Sequence, residues 1–271
     1  MEFNRRLNEI IRKRNSLLCV GLDIDLSRTP PFVLDKKEPL VYFGKAIIDA
    51  TLEFAVAYKI NTAFFEAYGA PGWEAMHKLA NYLPSDVIKI ADAKRGDIGN
   101  SSRMYVRAFF EQMNFDAITV NPYLGYDSVQ PFLQDAQKGV FILCHTSNHG
   151  AADFQKFGDE KLKLFESVAL KVAEWNVNNN CCLVVGATYP LEIAQLRKLA
   201  PSLPFLIPGL GTQGGDFALA VKHALTRQND GAIFNFSRSI IYASPADDFA
   251  DAAGLEARQM KEQLNQFRTQ P

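Results

Sequence analysis

Eight short apolar runs rich in β-branched residues, separated by segments of helical periodicity, constrain this chain more than any other feature. They span residues 16–22, 55–60, 87–91, 117–120, 140–144, 182–186, 205–207 and 232–235. Runs of this length, apolar at consecutive positions, suit strands buried on both faces, as in a parallel sheet. The segments between them carry stripes such as Leu162, Phe165, Ala169 and Val172, or Ala253, Ala257, Met260, Leu264 and Phe267. Such stripes are core contacts without chemistry. Strict strand and helix alternation, with no linker-like or low-complexity break, predicts a single α/β domain over residues 1–271. The expected architecture is a (β/α)8 TIM barrel, with a doubly wound open sheet as the alternative. Ahead of the first run, Phe3, Leu7, Ile10 and Ile11 are spaced for an N-terminal helix over about residues 3–14.

Composition narrows function more than fold. Lys and Arg (29) nearly balance Asp and Glu (30), giving a formal net charge of -1. No global field therefore draws the chain to nucleic acid or an anionic membrane, and an anionic ligand must be held by a local site. No apolar stretch approaches the roughly 20 residues of a membrane helix, and the N-terminus resembles neither a signal nor a transit peptide. Cys19, Cys144, Cys181 and Cys182 lie in or beside apolar runs without the paired spacing of a zinc or redox motif. They are expected to be buried free thiols in a reducing compartment, and the protein to be soluble and cytoplasmic.

Barrel active sites are built at the C-terminal ends of the strands, often with a phosphate held after strands 7 and 8. The third run leads into Asp92-Ala93-Lys94-Arg95-Gly96-Asp97-Ile98. Strand alternation places Asp92 and Lys94 on one face, that of Ile88 and Ile90, aimed at the barrel mouth. Lys59 ends the second run and Asp23 follows the first, bringing a second Lys and a second Asp to the same rim. Opposite charges so close stabilise each other's ionised forms, and a Lys held as an ammonium is a positioned proton donor. The bland alternative is a solvated turn in which Asp97 helps the next helix to start.

Gly209-Leu210-Gly211-Thr212-Gln213-Gly214 satisfies G-x-G-x-x-G but follows strand 7, not the first strand of a dinucleotide fold. Its backbone N–H groups, the start of the following helix and the Arg238 guanidinium after strand 8 can converge on a phosphate. The alternative is a tight turn beside a surface Arg. His145 and His149 are four residues apart, a spacing that shares a face only on a helix, whereas Ser147, Asn148 and Gly150 indicate a loop. They are not read as a metal pair, and no metal site is expected. His77 and His223 fall in helical segments.

Asp92-x-Lys94-x-x-Asp97-Ile98, with Lys59 on the preceding strand, resembles the signature of the orotidine 5'-phosphate decarboxylases. Leu22-Asp23, residues 59–66, Thr146-Ser147-Asn148, residues 208–216 and Ser237-Arg238 resemble the longer bacterial branch of that family. The resemblance implies decarboxylation of orotidine 5'-phosphate to UMP without a cofactor. It implies Lys94 as proton donor to C6, Asp92 beside the departing carboxylate, and Lys59 with Asp97 of the partner subunit completing the charge array. It further implies Asp23 and Ser101 at the ribose, Ser147 and Gln213 at the base, Arg238 with the glycine loop that holds Gly209 and Gly211 at the phosphate, and Ser237 among the substrate-binding residues. The resemblance also implies a homodimer in which Ile98 accompanies Asp97 into the neighbouring site. His145 stands where relatives often have Arg, and Ser101 where many shorter relatives have Thr. Two other readings share the barrel. One is a Mg2+-dependent sugar-phosphate decarboxylase or synthase, expected to place an acidic ligand where this chain has Lys59. The other is a catalytically silent nucleotide-binding barrel.

Overall fold

The computed structural model describes residues 1–159, 161–209 and 215–269. Eight parallel strands close on themselves in sequence order: β1 (Leu18–Gly21), β2 (Ala57–Asn61), β3 (Ile88–Arg95), β4 (Ala117–Val120), β5 (Gly139–His145), β6 (Cys181–Val185), β7 (Phe205–Pro208) and β8 (Ala232–Phe236). β8 pairs back onto β1, with Leu18 opposite Phe234 and Val20 opposite Phe236. The open-sheet alternative is thereby excluded. Each strand is buried along most of its length, which is why its sequence reads as a continuous apolar run instead of an alternating one.

Helices cover the barrel, but not uniformly. Full-length helices follow β1 (Pro39–Thr51), β2 (Gly69–Tyr82), β5 (Leu164–Trp175) and β6 (Pro190–Leu199). After β4 there is only Tyr126–Val129 and a 3-10 turn, Gln130–Leu133, because Pro131 has no N–H with which to extend an α-helix. The stripe proposed for the segment after β5 is buried at Phe165, Ala169 and Val172, whereas Leu162 precedes the helix and is exposed. In the C-terminal helix, Phe249–Thr269, Ala253, Ala257, Met260 and Leu264 are buried as the spacing predicts. All four cysteines are free and buried. No helix among the described residues is long and apolar enough to cross a membrane.

The N-terminal helix, Phe3–Arg14, closes one end of the barrel. Its contacts are with residues just ahead of strands: Phe3 N–H donates to Ala136 O, Asn4 Nδ2 to Cys181 O, Arg6 pairs with Asp116, and Arg12 with Asp230. These positions precede or begin β4, β5, β6 and β8, so the helix plugs the N-terminal end. The C-terminal ends of the strands are left open.

Candidate active site

At the open end lies a cavity of about 880 Å³ lined by residues from many strand ends. Asp23, Lys59, Asp92, Lys94, Ser147, Gly209, Ser237 and Arg238 all line it. β2 carries Lys59 opposite Ile90 of β3, and Asn61 opposite Asp92. Lys59 Nζ lies 2.8 Å from Asp92 Oδ2 and 3.5 Å from Asp23 Oδ1. Lys94 Nζ lies 2.6 Å from the other Asp92 oxygen, Oδ1. The result is one connected array, Asp23–Lys59–Asp92–Lys94. Lys59 and Asp92 are buried, while the Lys94 side chain is half exposed to the cavity.

Asp92 and Lys94 meet as expected, but simple strand alternation is not the means. Ala91 pairs with Ile118 and Arg95 with Val120, so residues 92–94 of β3 stand against Thr119 alone. The extra residues bulge from the ladder, and Lys94 takes a left-handed backbone (φ 47°) that non-glycine residues seldom adopt. Thr119 repairs the gap. Its Oγ1 accepts the Lys94 backbone N–H at 2.9 Å and donates to Asp92 Oδ1 at 3.0 Å. One hydroxyl thus holds the backbone of one charged residue and the carboxylate of the other.

The charges reinforce one another. Burial alone would push the Asp92 carboxyl up, but the Lys59 and Lys94 ammonium groups outweigh it and hold the group well below the usual carboxylate range. Burial likewise works against the Lys59 charge, yet Asp92 and Asp23 overcome it and keep Lys59 above the ordinary lysine value. Beside them Cys19 is pushed up to about 12 by burial, so it stays a thiol and is no nucleophile.

At the other side of the cavity, Ser237 Oγ donates to Gly21 O at 3.0 Å, tying β8 to β1, and Arg238 opens the helical turn Arg238–Ile241. Gly209 ends the described part of the loop after β7 with φ 87°. Gly211 and Gln213 lie outside the described residues. Asp97, Ile98 and Ser101 do not line the cavity of their own barrel. The strand ends at Arg95; Asp97 then accepts the Ile98 N–H at 2.8 Å, and Ile98 and Ser101 are exposed at the start of the helix Gly99–Val106. Among the described residues no cluster of three or more His, Cys, Asp or Glu is arranged to hold a metal ion. His145 is buried against Phe165 and Tyr189, with neither ring nitrogen hydrogen-bonded.

Thr119, Gln155 and Arg28 line the cavity from outside every motif named above. Thr119 had a signal, a lone hydroxyl inside the apolar run Ala117-Ile118-Thr119-Val120. Arg28 stacks on the Tyr242 ring at 4.5 Å, and the Tyr242 hydroxyl accepts the Asp25 N–H, pinning the loop that carries Asp23.

A family profile described as "Orotidine 5'-phosphate decarboxylase / HUMPS family" matches residues 16–253. Orotidine 5'-phosphate decarboxylase of Christiangramia forsetii is 47% identical over 264 residues, covering 96% of this chain and 97% of that protein. A namesake from Dehalococcoides mccartyi is 44% identical over 272 residues, covering 99% of each. The solved structure of Leishmania donovani OMP decarboxylase matches with a TM-score of 0.86 at 39% identity and covers 100% of both chains. Similarity of this extent takes in the barrel and every strand end that bears the charged array, and the chain belongs to the orotidine 5'-phosphate decarboxylase / HUMPS family.

Proposed function

We infer that this protein converts orotidine 5'-phosphate to UMP and CO2, and that its site residues divide the work as follows. The reading rests above all on the buried Lys59–Asp92–Lys94 array with its one ammonium open to the cavity. Decarboxylation breaks the bond between C6 and the carboxylate, leaves the electron pair on C6, and releases CO2. The ring gives that pair little resonance relief, so charge and proton supply must lower the barrier. Lys94 gives its proton to C6. Asp92, kept ionised, stands beside the departing carboxylate, and Lys59 fixes Asp92 in place. Asp23 serves the ribose, Ser147 and Gln213 the base, and Arg238 with Ser237, Gly209 and Gly211 the phosphate. No cofactor enters this scheme. Buried free thiols fit a reducing, cytoplasmic setting.

The Mg2+-dependent alternative expects a carboxylate at the end of β2, where Lys59 stands. Orotate absorbance, followed in EDTA with orotidine 5'-phosphate as substrate, separates the readings. Full activity supports the proposal, metal-dependent activity the alternative, and inactivity a silent barrel.

The segment bearing Asp97, Ile98 and Ser101 projects outside its own cavity, and exposed Ile98, Met104, Tyr123, Leu124 and Tyr126 accompany it. In the homodimer we propose, Asp97 of the partner subunit completes each array, with Ile98 and Ser101 on the same projecting segment. Asp97→Asn and Lys94→Ala homodimers are then each nearly inactive. Refolded together in equal amounts, they form half mixed dimers with one whole site each, restoring about one quarter of wild-type activity. No recovery in verified mixed dimers removes the shared site, and a monomer by sedimentation removes the dimer.

A further inference from the structure

Gln155 lies in the loop between β5 and the helix Leu164–Trp175, and it lines the cavity. Its amide oxygen accepts the Thr146 N–H at 2.7 Å, and its amide nitrogen donates to Thr146 Oγ1 at 2.8 Å. Thr146 Oγ1 in turn donates to Asn148 Oδ1 at 2.6 Å. The Gln155 backbone is itself anchored, with its N–H on Ala151 O at 2.8 Å and its carbonyl accepting the Phe165 N–H at 3.0 Å. Between Thr146 and Asn148 stands Ser147, walled in by two glycines. A Cβ at Gly186 would come within 2.6 Å of Ser147 N, and one at Gly209 within 2.9 Å of Ser147 Oγ. The strand ends beneath are joined as well: Gly186 N–H donates to His145 O at 2.6 Å and Ala187 N–H to Pro208 O at 3.1 Å.

We propose that Gln155 is a positioning residue for pyrimidine discrimination: it clamps Thr146–Asn148 so that Ser147 meets the ring edge that distinguishes uracil from cytosine. The proposal rests on the nucleotide reading of the site given above. A hydroxyl rotates and serves equally as donor or acceptor. Ser147 can separate an edge of O4 and N3–H from one of amino group and bare N3 only if its backbone N–H and its Cβ are held in one place from outside. A planar amide that grips both the backbone and the side chain of the neighbouring residue fixes orientation as well as position, and the close-packed glycines leave no second placement.

The test compares dissociation constants for UMP and CMP by calorimetry in wild type, Gln155→Met, Thr146→Val, the double variant and Gln155→Glu, alongside kcat and KM for orotidine 5'-phosphate. Both nucleotides carry the same ribose and phosphate, so their ratio cancels effects at the phosphate end and any added charge. Wild type should prefer UMP. Gln155→Met and Thr146→Val should each reduce that preference about threefold to tenfold, the size of one or two neutral hydrogen bonds. The double variant should lose no more than the larger single loss, since the two residues act as one clamp. Gln155→Glu keeps acceptors for both the N–H and the hydroxyl of Thr146; it should retain the preference while weakening both nucleotides by its charge. An unmoved ratio in folded Gln155→Met overturns the proposal, as does a Gln155→Glu that loses the preference fully. Should Gln155→Met fail to fold, Thr146→Val decides by the same ratio. Wild type that leaves orotidine 5'-phosphate intact defeats the nucleotide reading itself, whereas an active wild type with a ratio insensitive to the clamp defeats only the role of Gln155.

Discussion

At the N-terminal end of the barrel Arg6 of the first helix gathers with Lys89, Asp116 and Lys138; at the C-terminal end Asp23, Lys59, Asp92 and Lys94 line an open cavity. The lower set is spent on the backbone. Asp116 pairs with Arg6 at 2.8 Å and accepts the Lys89 N–H at 2.9 Å, while Lys138 Nζ donates to Phe115 O at 2.7 Å. There burial outweighs Asp116, and both Lys89 and Lys138 fall below the ordinary lysine value. In the upper set the balance is reversed: two carboxylates flank Lys59 and hold it above that value. Apart from Thr119, the upper side chains bond to one another, and no peptide carbonyl requires them. Charges that satisfy the chain's own backbone serve the fold, whereas charges held against one another beside an open cavity are left to act on what enters it.

The contrast is open to attack, most forcefully at Lys94. Lys94→Ala should lower kcat by at least roughly 10³-fold, near the upper end for a positioned acid, with melting temperature and UMP affinity nearly unchanged. Substantial turnover in this variant, with contamination excluded, would end the assignment. Below, Asp116→Ala should do the converse. It strands half-buried Arg6 and the buried Lys89 N–H and costs about 3 kcal/mol in urea unfolding, while KM of the folded fraction stays at the wild-type value. A changed KM with unchanged stability would erase the distinction between the two ends.

Arg238→Ala should cost about 1.5–3 kcal/mol in kcat/KM for orotidine 5'-phosphate, the range of one charged hydrogen-bonding group. Equal efficiency in wild type and variant would make Arg238 a surface residue. The smallest effect concerns pH. Because the folded Asp92 carboxyl lies below its ordinary value of 3.8, its stabilisation is present above that pH and is lost as pH falls through the lower folded value. Lys59 lies above 10.5, so its share is present below that pH and is lost only as pH rises through the higher folded value. Between about pH 5 and 9 Asp92 and Lys59 should therefore add no slope to unfolding free energy. Asp92→Asn should remove its part of the acid-side fall, which urea titrations across pH 2–5 will read; an identical fall in both proteins would deny Asp92 its depressed titration.

The strands were legible because a chain segment buried on both faces can scarcely conceal it: each of the eight apolar runs overlaps a strand. Closure of the ring was an inference from their number, since nothing local records that Leu18 will meet Phe234. Lys59, Asp92 and Lys94 could be read because charge at the end of an apolar run is conspicuous. The means of their meeting could not. The bulge at residues 92–94 depends on register with β4, and the part Thr119 plays there is set by a pairing 27 residues away in sequence. Gln155 and Tyr242 escaped for the same reason, because each acts by reaching a loop that only the fold brings near.

Among the described residues five non-glycines have positive φ, and four are asparagines: Asn15, Asn114, Asn179 and Asn229. The fifth is Lys94. Asn and Gly tolerate that conformation best, and a long side chain gains nothing from it. Selection for ruggedness alone would therefore replace Lys94, and a library ranked by melting temperature would favour Gly or Asn at this position, at the expense of the proton donor proposed above. Residue 94 is a place where thermostability and chemistry make opposite demands on one side chain, so stabilised variants need it held constant from the outset.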